Sequence, residues 1–183
     1  MDKLTNIDNE ITLQIEKLEK QFDEKDFIEF IEFRLCERKE IHLDELNKIK
    51  GIYLFEIKNS KLLFFQDWIK DFKNNFKIPK HNHPQNWAPN INKSRTKKYS
   101  NERLNWIPLY LGKSENMKKR INEHLNSNIG KAPSALKLKQ RFNIGEEFFR
   151  LKYIDLGDIK NYGTIATIVE KQLQNKIKPI VGR

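Results

Sequence analysis

Cysteine is nearly absent. Cys36 is the only one in 183 residues, so neither a disulfide framework nor a cysteine-rich zinc site can form within one chain. No apolar stretch approaches the roughly 18 to 20 residues that cross a bilayer. The opening residues, Met-Asp-Lys-Leu-Thr-Asn, lack the basic start and apolar run of a signal peptide. These absences predict a soluble, cytoplasmic protein with no membrane partner. The length suits one domain with a small appendage, large enough to bury a core without crosslinks or a structural metal.

What the later part of the chain lacks is acid. Residues 1–50 hold 9 Lys/Arg against 14 Asp/Glu, whereas residues 51–183 hold 26 against 11, a net of +15. Like charges crowded together repel, and a polyanion relieves that repulsion, which points to nucleic acid as a partner. A lysine-rich coding bias is the plainer account, with 27 Lys, 8 Arg and 19 Asn.

Hydrophobic spacing organises the chain. Ile11, Ile15, Leu18 and Phe22 recur at helical intervals. The dense run Phe27, Ile28, Phe30, Ile31, Phe33 and Leu35, with Asp26 as a cap, extends this to a two-helix hairpin over residues 7–38. The acidic segment, residues 1–48, is expected to be a helical extension that covers the core, with dimerisation or regulation as its second role. Gly51-Ile52-Tyr53-Leu54-Phe55-Glu56-Ile57 reads as a strand, and Leu62, Phe65, Trp68, Ile69, Phe72 and Phe76 as one face of a helix. Residues 79–105 break the pattern with Pro79, Pro84, Pro89 and many Asn; a loop this long is functional or disordered. Trp106–Gly112 is expected to be a second strand. Ser114 is then expected to cap a helix over 115–127 built on Met117, Ile121 and Leu125. Residues 128–145 are basic and irregular. Phe148–Asp155 reads as a third strand, followed by a helix over 164–177 with Thr164 as its cap and Ala166, Val169, Leu173 and Ile177 on one face. The order strand–strand–helix–strand–helix gives an α+β domain.

Four pieces of this layout carry chemistry. Gly51-Ile-Tyr53 opens one strand and Tyr110-Leu-Gly112 ends another. Arg120 and His124 lie at i and i+4, on one helix face, and Glu170 flanks the apolar stripe of the last helix. Phosphodiester hydrolysis needs an activated water, neutralisation of charge on the transition state and help for the leaving oxygen. A carboxylate holds a divalent ion, Arg grips non-bridging oxygens, and Tyr or His takes the proton of water.

On these residues the sequence resembles the GIY-YIG nuclease superfamily, in its restriction-endonuclease-like branch with a long insert between the two tyrosine motifs. The resemblance rests on Gly51-Ile52-Tyr53, on Tyr110-Leu111-Gly112-Lys113-Ser114 with Arg120 and His124 after it, and on Glu170. It covers residues 48–58 and 106–183. It implies a small three-stranded antiparallel sheet flanked by helices over residues 49–183, with the insert at about 59–105, and one Mg²⁺ or Mn²⁺ held by Glu170. Arg120 then holds the scissile phosphate. Tyr53, Tyr110 and His124 orient or deprotonate the water, with the choice among them open, and Lys113 lowers a tyrosine pKa or faces solvent. Compact members keep the two tyrosine motifs close, whereas 57 residues separate Tyr53 from Tyr110 here. Where the family usually carries an Asn after the metal-binding Glu, this chain has Gly182.

The expected activity is metal-dependent cleavage of double-stranded DNA, in the manner of a type II restriction enzyme. A homodimer is one route to cutting both strands of a palindrome. A non-catalytic binding module and a structure-specific repair or mobile-element nuclease are the competitors. Lys93, Arg95, Lys97, Lys98 and Arg103, with Tyr99 and Trp106 nearby, are expected to clamp phosphates and stack on or wedge between bases. Lys131, Lys137, Lys139 and Arg141 form a second basic patch. His81 and His83 read as a loop feature rather than a metal pair.

Overall fold

The computed structural model describes residues 2–37, 41–76 and 88–182; His81 and His83 lie outside them. In chain order it contains α1 (Asp2–Gln21), β1 (Ile28–Arg34), β2 (Gly51–Lys58), α2 (Phe65–Phe76), α3 (Lys93–Thr96), β3 (Trp106–Ser114), α4 (Met117–Asn126), β4 (Phe148–Asp155) and α5 (Tyr162–Ile177). The strands form one antiparallel sheet of four, in the order β1-β4-β2-β3. The α+β class agrees with the sequence, but the sheet has a fourth strand.

That strand comes from residues expected to be helical. Phe27 to Leu35 carries apolar side chains too densely for a single helical stripe, and β4 offers it an open edge. Strand pairing therefore overrides the apparent cap, as β-rich segments allow when a partner is at hand. Phe33 is buried and stacks on Phe149 across the pair, with ring centroids 5.7 Å apart. Asp26 caps no long helix. It closes a capping box with Asp23 around the one-turn 3₁₀ helix Glu24–Asp26 that precedes β1.

β2 lies at the centre, and its alternating side chains build two cores. Tyr53, Phe55 and Ile57 join Phe149, Leu151, Ile107 and Leu109 beneath α2 and α4. Ile52 and Leu54 join Leu111, Ile154 and the Ala166, Val169, Leu173 and Ile177 face of α5. Burying a strand on both faces requires the apolar, β-branched run seen here. Glu56 is its one buried charge, held by Arg150 Nε at 2.7 Å with Lys152 Nζ at 3.8 Å. α1 lies on the outside of α5 with no residue fully buried. No helix among the described residues is long and apolar enough to cross a membrane.

The helix starts also differ from expectation. Asn116, not Ser114, caps α4, accepting from the Lys119 N–H at 3.0 Å, while Ser114 Oγ accepts from Asn116 N–H. α5 begins two residues before Thr164.

The outer edge of β3 is closed by the end of the chain. Ile180 N–H donates to Pro108 O at 2.9 Å and Val181 N–H to Leu109 O at 2.8 Å. Residues of the insert close that segment in turn. Asn92 N–H donates to Ile180 O, Gly182 N–H to Asn90 O, and Ile91 bridges Val181 antiparallel. An exposed strand edge invites pairing with other chains, and these layers cover it. They also fix residues 88–99 beside the ends of β3 and α5.

Gly51 shows how tightly the central strands are drawn together, since a Cβ there would lie 1.9 Å from the Ile154 carbonyl oxygen. Gly51→Ala is therefore expected to cost about 3 kcal/mol or more, at the upper end for single substitutions. Urea unfolding monitored by tryptophan fluorescence measures this loss.

Candidate active site

The tyrosine strands, α4 and α5 bring Tyr53, Tyr110, Lys113, Arg120, His124 and Glu170 into one region. Tyr53 is 1% exposed and His124 fully buried, so the hydrogen bonds between them have little competition from water. His124 Nδ1 accepts the Leu136 backbone N–H at 3.0 Å, which places the ring proton of the neutral imidazole on Nε2. Nε2–H then donates to the Tyr53 hydroxyl oxygen at 2.8 Å, and Arg120 Nε–H donates to the same oxygen at 3.2 Å. Both lone pairs of that oxygen are thereby used, and its own proton is left to donate. Gly112 makes room for the arrangement, because a Cβ there would meet the Tyr53 hydroxyl at 2.4 Å.

Burial raises the Tyr53 pKa strongly, Tyr110 adds to this, and Arg120 only partly opposes it. Tyr53 is therefore a neutral phenol. Burial, with Arg120 beside it, holds His124 well below the ordinary histidine range, so this ring stays neutral too. His124 has both nitrogens engaged and no exposed surface, which makes it a positioning group for Tyr53. Of Tyr53, Tyr110 and His124, only Tyr110 lines the cleft.

Arg120 is held at three points: by Tyr53, by Glu123 Oε2 at 2.9 Å from Nη1, and by the Ser134 carbonyl at 2.9 Å from Nη2. Burial works against its charge, but Tyr53 and Glu123 outweigh it and its pKa is raised. A guanidinium has five N–H groups, so two remain for an incoming oxygen pair. Glu123 and the backbone of Ser134 and Leu136 were not singled out in the sequence. Glu123 carried an i,i+3 signal to Arg120, whereas a backbone group carries no side-chain signal at all.

Arg120, Tyr110 and Glu170 line a cleft of about 600 Å³ with Asn90, Arg95, Ser134, Gln174 and Gly182. Gly182, with a φ of +112°, sits against the Tyr110 ring, where a Cβ would approach to 3.4 Å. Glu170 Oε2 accepts from Lys113 Nζ at 2.8 Å, and the same ammonium donates to Thr167 Oγ1 at 2.9 Å. Lys113 thus reaches the glutamate and a threonine of α5. Its ammonium shows that the carboxylate accepts a cation on this side. Among the described residues no three His, Cys, Asp or Glu converge, and Glu170 is the carboxylate that lines the cleft. That donor set fits Mg²⁺ or Mn²⁺, which keep waters and complete their shell with phosphate oxygens.

The basic residues divide into three groups. Lys93, Arg95, Lys97 and Lys98 lie together on α3 and the turn after it, docked on the C-terminal end of α5. Arg95 donates to Pro179 O at 3.3 Å and to Gln174 Oε1 at 3.4 Å, and Lys98 Nζ donates to Lys176 O at 2.6 Å. Tyr99 is buried, bonded to the Ile177 carbonyl, and so unavailable for base stacking. Arg103 lies apart from them, with its guanidinium 4.1 Å from the Phe64 ring.

The second basic patch is split between exposed and buried residues. Lys131 and Lys139 are exposed, but Lys137 is fully buried in the left-handed conformation (φ 56°), where its ammonium caps the carbonyls of Asn128 and Lys131. Arg141 is buried as well, over the Phe76 ring at 3.6 Å, and donates to Leu136 O and Phe76 O. Burial pushes its pKa down to about 9, still cationic at neutral pH. Both cations tie down residues 128–141, the strap that presents Ser134 to Arg120 and Leu136 to His124.

Comparison with protein-family models, curated protein sequences and solved structures finds no match to this chain.

The neutral burial of His124 has a consequence for stability. Its folded pKa lies below the 6.5 of an exposed ring, so its contribution is fully present above pH 6.5 and is lost as pH falls below that value. The unfolded chain takes up the proton there, at about 1.4 kcal/mol per pH unit. Urea unfolding at pH 7.5 and pH 5.5 is expected to show a drop that shrinks in His124→Gln.

Proposed function

We propose that the chain is a divalent-metal-dependent endonuclease of the GIY-YIG type that hydrolyses phosphodiester bonds in DNA. The observation that carries this reading is the convergence of Arg120, Tyr110 and Glu170 on one cleft, backed by the buried Tyr53–His124 pair that holds Arg120. The excess positive charge of residues 51–183, and the basic cluster of α3 next to the cleft, support a polyanionic substrate.

Arg120 presents its two remaining N–H groups to the non-bridging oxygens of the scissile phosphate, with its orientation set by Tyr53, Glu123 and Ser134. Charge accumulates on those oxygens in the transition state, where a held cation in a partly dry cleft stabilises it most. Glu170 would hold Mg²⁺ or Mn²⁺, which would supply further charge neutralisation and make water more acidic. Lys113, which donates to both Glu170 and Thr167, would yield the carboxylate to such an ion and keep the threonine hydroxyl as its partner. Tyr110 faces the cleft and takes the role of orienting the attacking water, accepting its proton as the tyrosine's own hydroxyl proton passes to solvent. Tyr53 keeps Arg120 in line and does not leave its buried seat.

Glu170→Ala is expected to abolish cleavage of supercoiled and linear DNA in Mg²⁺ or Mn²⁺ while DNA binding in EDTA survives. Loss of binding together with cleavage would argue against Glu170 as the metal ligand. Discrete fragments identify sequence-specific cutting, and mapping their ends gives the site. Tyr110→Phe is expected to lower kcat by a factor of about 10² to 10⁴, the usual worth of a proton-transfer group. A rate near that of the unaltered protein removes Tyr110 from that role.

A further inference from the structure

The cleft contains a second arginine that the chemistry above does not use. Arg95 lines it together with Arg120 and Glu170 but arrives from a different part of the chain. Its position is built rather than accidental. Asn92 Oδ1 accepts from the Ser94 and Arg95 backbone N–H groups at the start of α3. The preceding segment is hydrogen-bonded to residues 180 and 182, which themselves extend the β3 side of the sheet. The guanidinium rests on the C-terminal end of α5 through Pro179 O and Gln174 Oε1. It is half-buried, and burial lowers its pKa. A guanidinium held this way loses little further freedom on gripping a phosphate, and its planar fork suits that group.

We infer that Arg95 grips a phosphate next to the scissile one, so that the cleft takes a polynucleotide strand across at least two successive phosphates. This rests on the nuclease reading and adds a neighbouring phosphate to what the cleft recognises. Arg120 neutralises the reacting phosphate, with the ion that Glu170 would hold, and the insert supplies the grip on its neighbour. Diesters with one phosphate, such as dinucleotides, then lose that grip and are poor substrates. The insert thereby acts on substrate choice, and Arg95 touches substrate without taking part in the proton transfers.

The test combines Arg95→Ala and Arg95→Lys with a cleavable duplex carrying a single methylphosphonate at each phosphate around the cut in turn. For the unaltered protein, neutralising one adjoining phosphate is expected to lower kcat/KM at least tenfold. Arg95→Ala is expected to show the same loss on unmodified DNA, with no further loss on that modified duplex. Its loss on a dinucleotide is expected to be smaller than its loss on unmodified DNA. Arg95→Lys, which keeps the charge but not the fork, is expected to fall between the two.

A merely structural role for Arg95 would lower the rate equally on every substrate, and equal methylphosphonate losses in all three proteins would overturn the inference. If the unaltered protein cuts nothing, the nuclease reading fails, and binding of the same duplexes in EDTA decides on Arg95. A salt slope smaller by about one in Arg95→Ala upholds the phosphate contact, and an unchanged slope overturns it.

Discussion

The hydroxyl of Tyr53 is the point from which the candidate site is hung. It receives one hydrogen bond from His124 and one from Arg120, from a seat that exists because Gly112 has no side chain. The His124 tautomer that makes this possible is set by one backbone N–H, that of Leu136. Chained bonds of this kind in a dry interior strengthen one another and leave few alternative arrangements. Arg120, the phosphate-binding group of the proposed reaction, is therefore oriented before any substrate arrives. Such preorganisation lets a charge act on a transition state without first being rearranged.

The strap between α4 and β4 deserves its basic composition for a structural reason. Lys137 and Arg141 are spent on backbone carbonyls, where they turn an irregular segment into a fixed one. A segment with few regular hydrogen bonds opens easily, and buried side chains that cap its carbonyls close that route. The same economy appears at the other wall of the cleft. There the insert is held on the end of α5 and on the covered edge of β3, which makes a long interruption between two strands into part of the site. Rigid walls on both sides are what a cleft of this size needs if two guanidinium groups are to act at fixed places.

Much of the layout was legible in the residues. Central β2 announced itself by a run rich in β-branched and aromatic residues, and α5 by its stripe at 166, 169, 173 and 177. Arg120 and His124 were placed on one face by their i, i+4 spacing alone. β1 was not legible, because Phe27 to Leu35 suits more than one periodicity and only the open edge of β4 selects the strand. Lys137 and Arg141 were misread since a basic residue looks the same in sequence whether its charge meets solvent or a buried carbonyl. Tyr99 was misread for a similar reason, as an aromatic beside lysines serves equally for stacking or for anchoring.

Local spacing and side-chain chemistry alone determined the class of the fold, the helix that carries Arg120 and His124, and the candidate set of tyrosines, arginine and glutamate. These depend on neighbours within a few residues, which the chain order states directly. Only the tertiary structure decided the tautomer of His124, the pairing of Lys113 with Glu170, the fourth strand, and the placing of Arg95 in the cleft. Each of those joins groups far apart in the chain, through backbone atoms or buried partners whose positions follow from the packing of the whole domain.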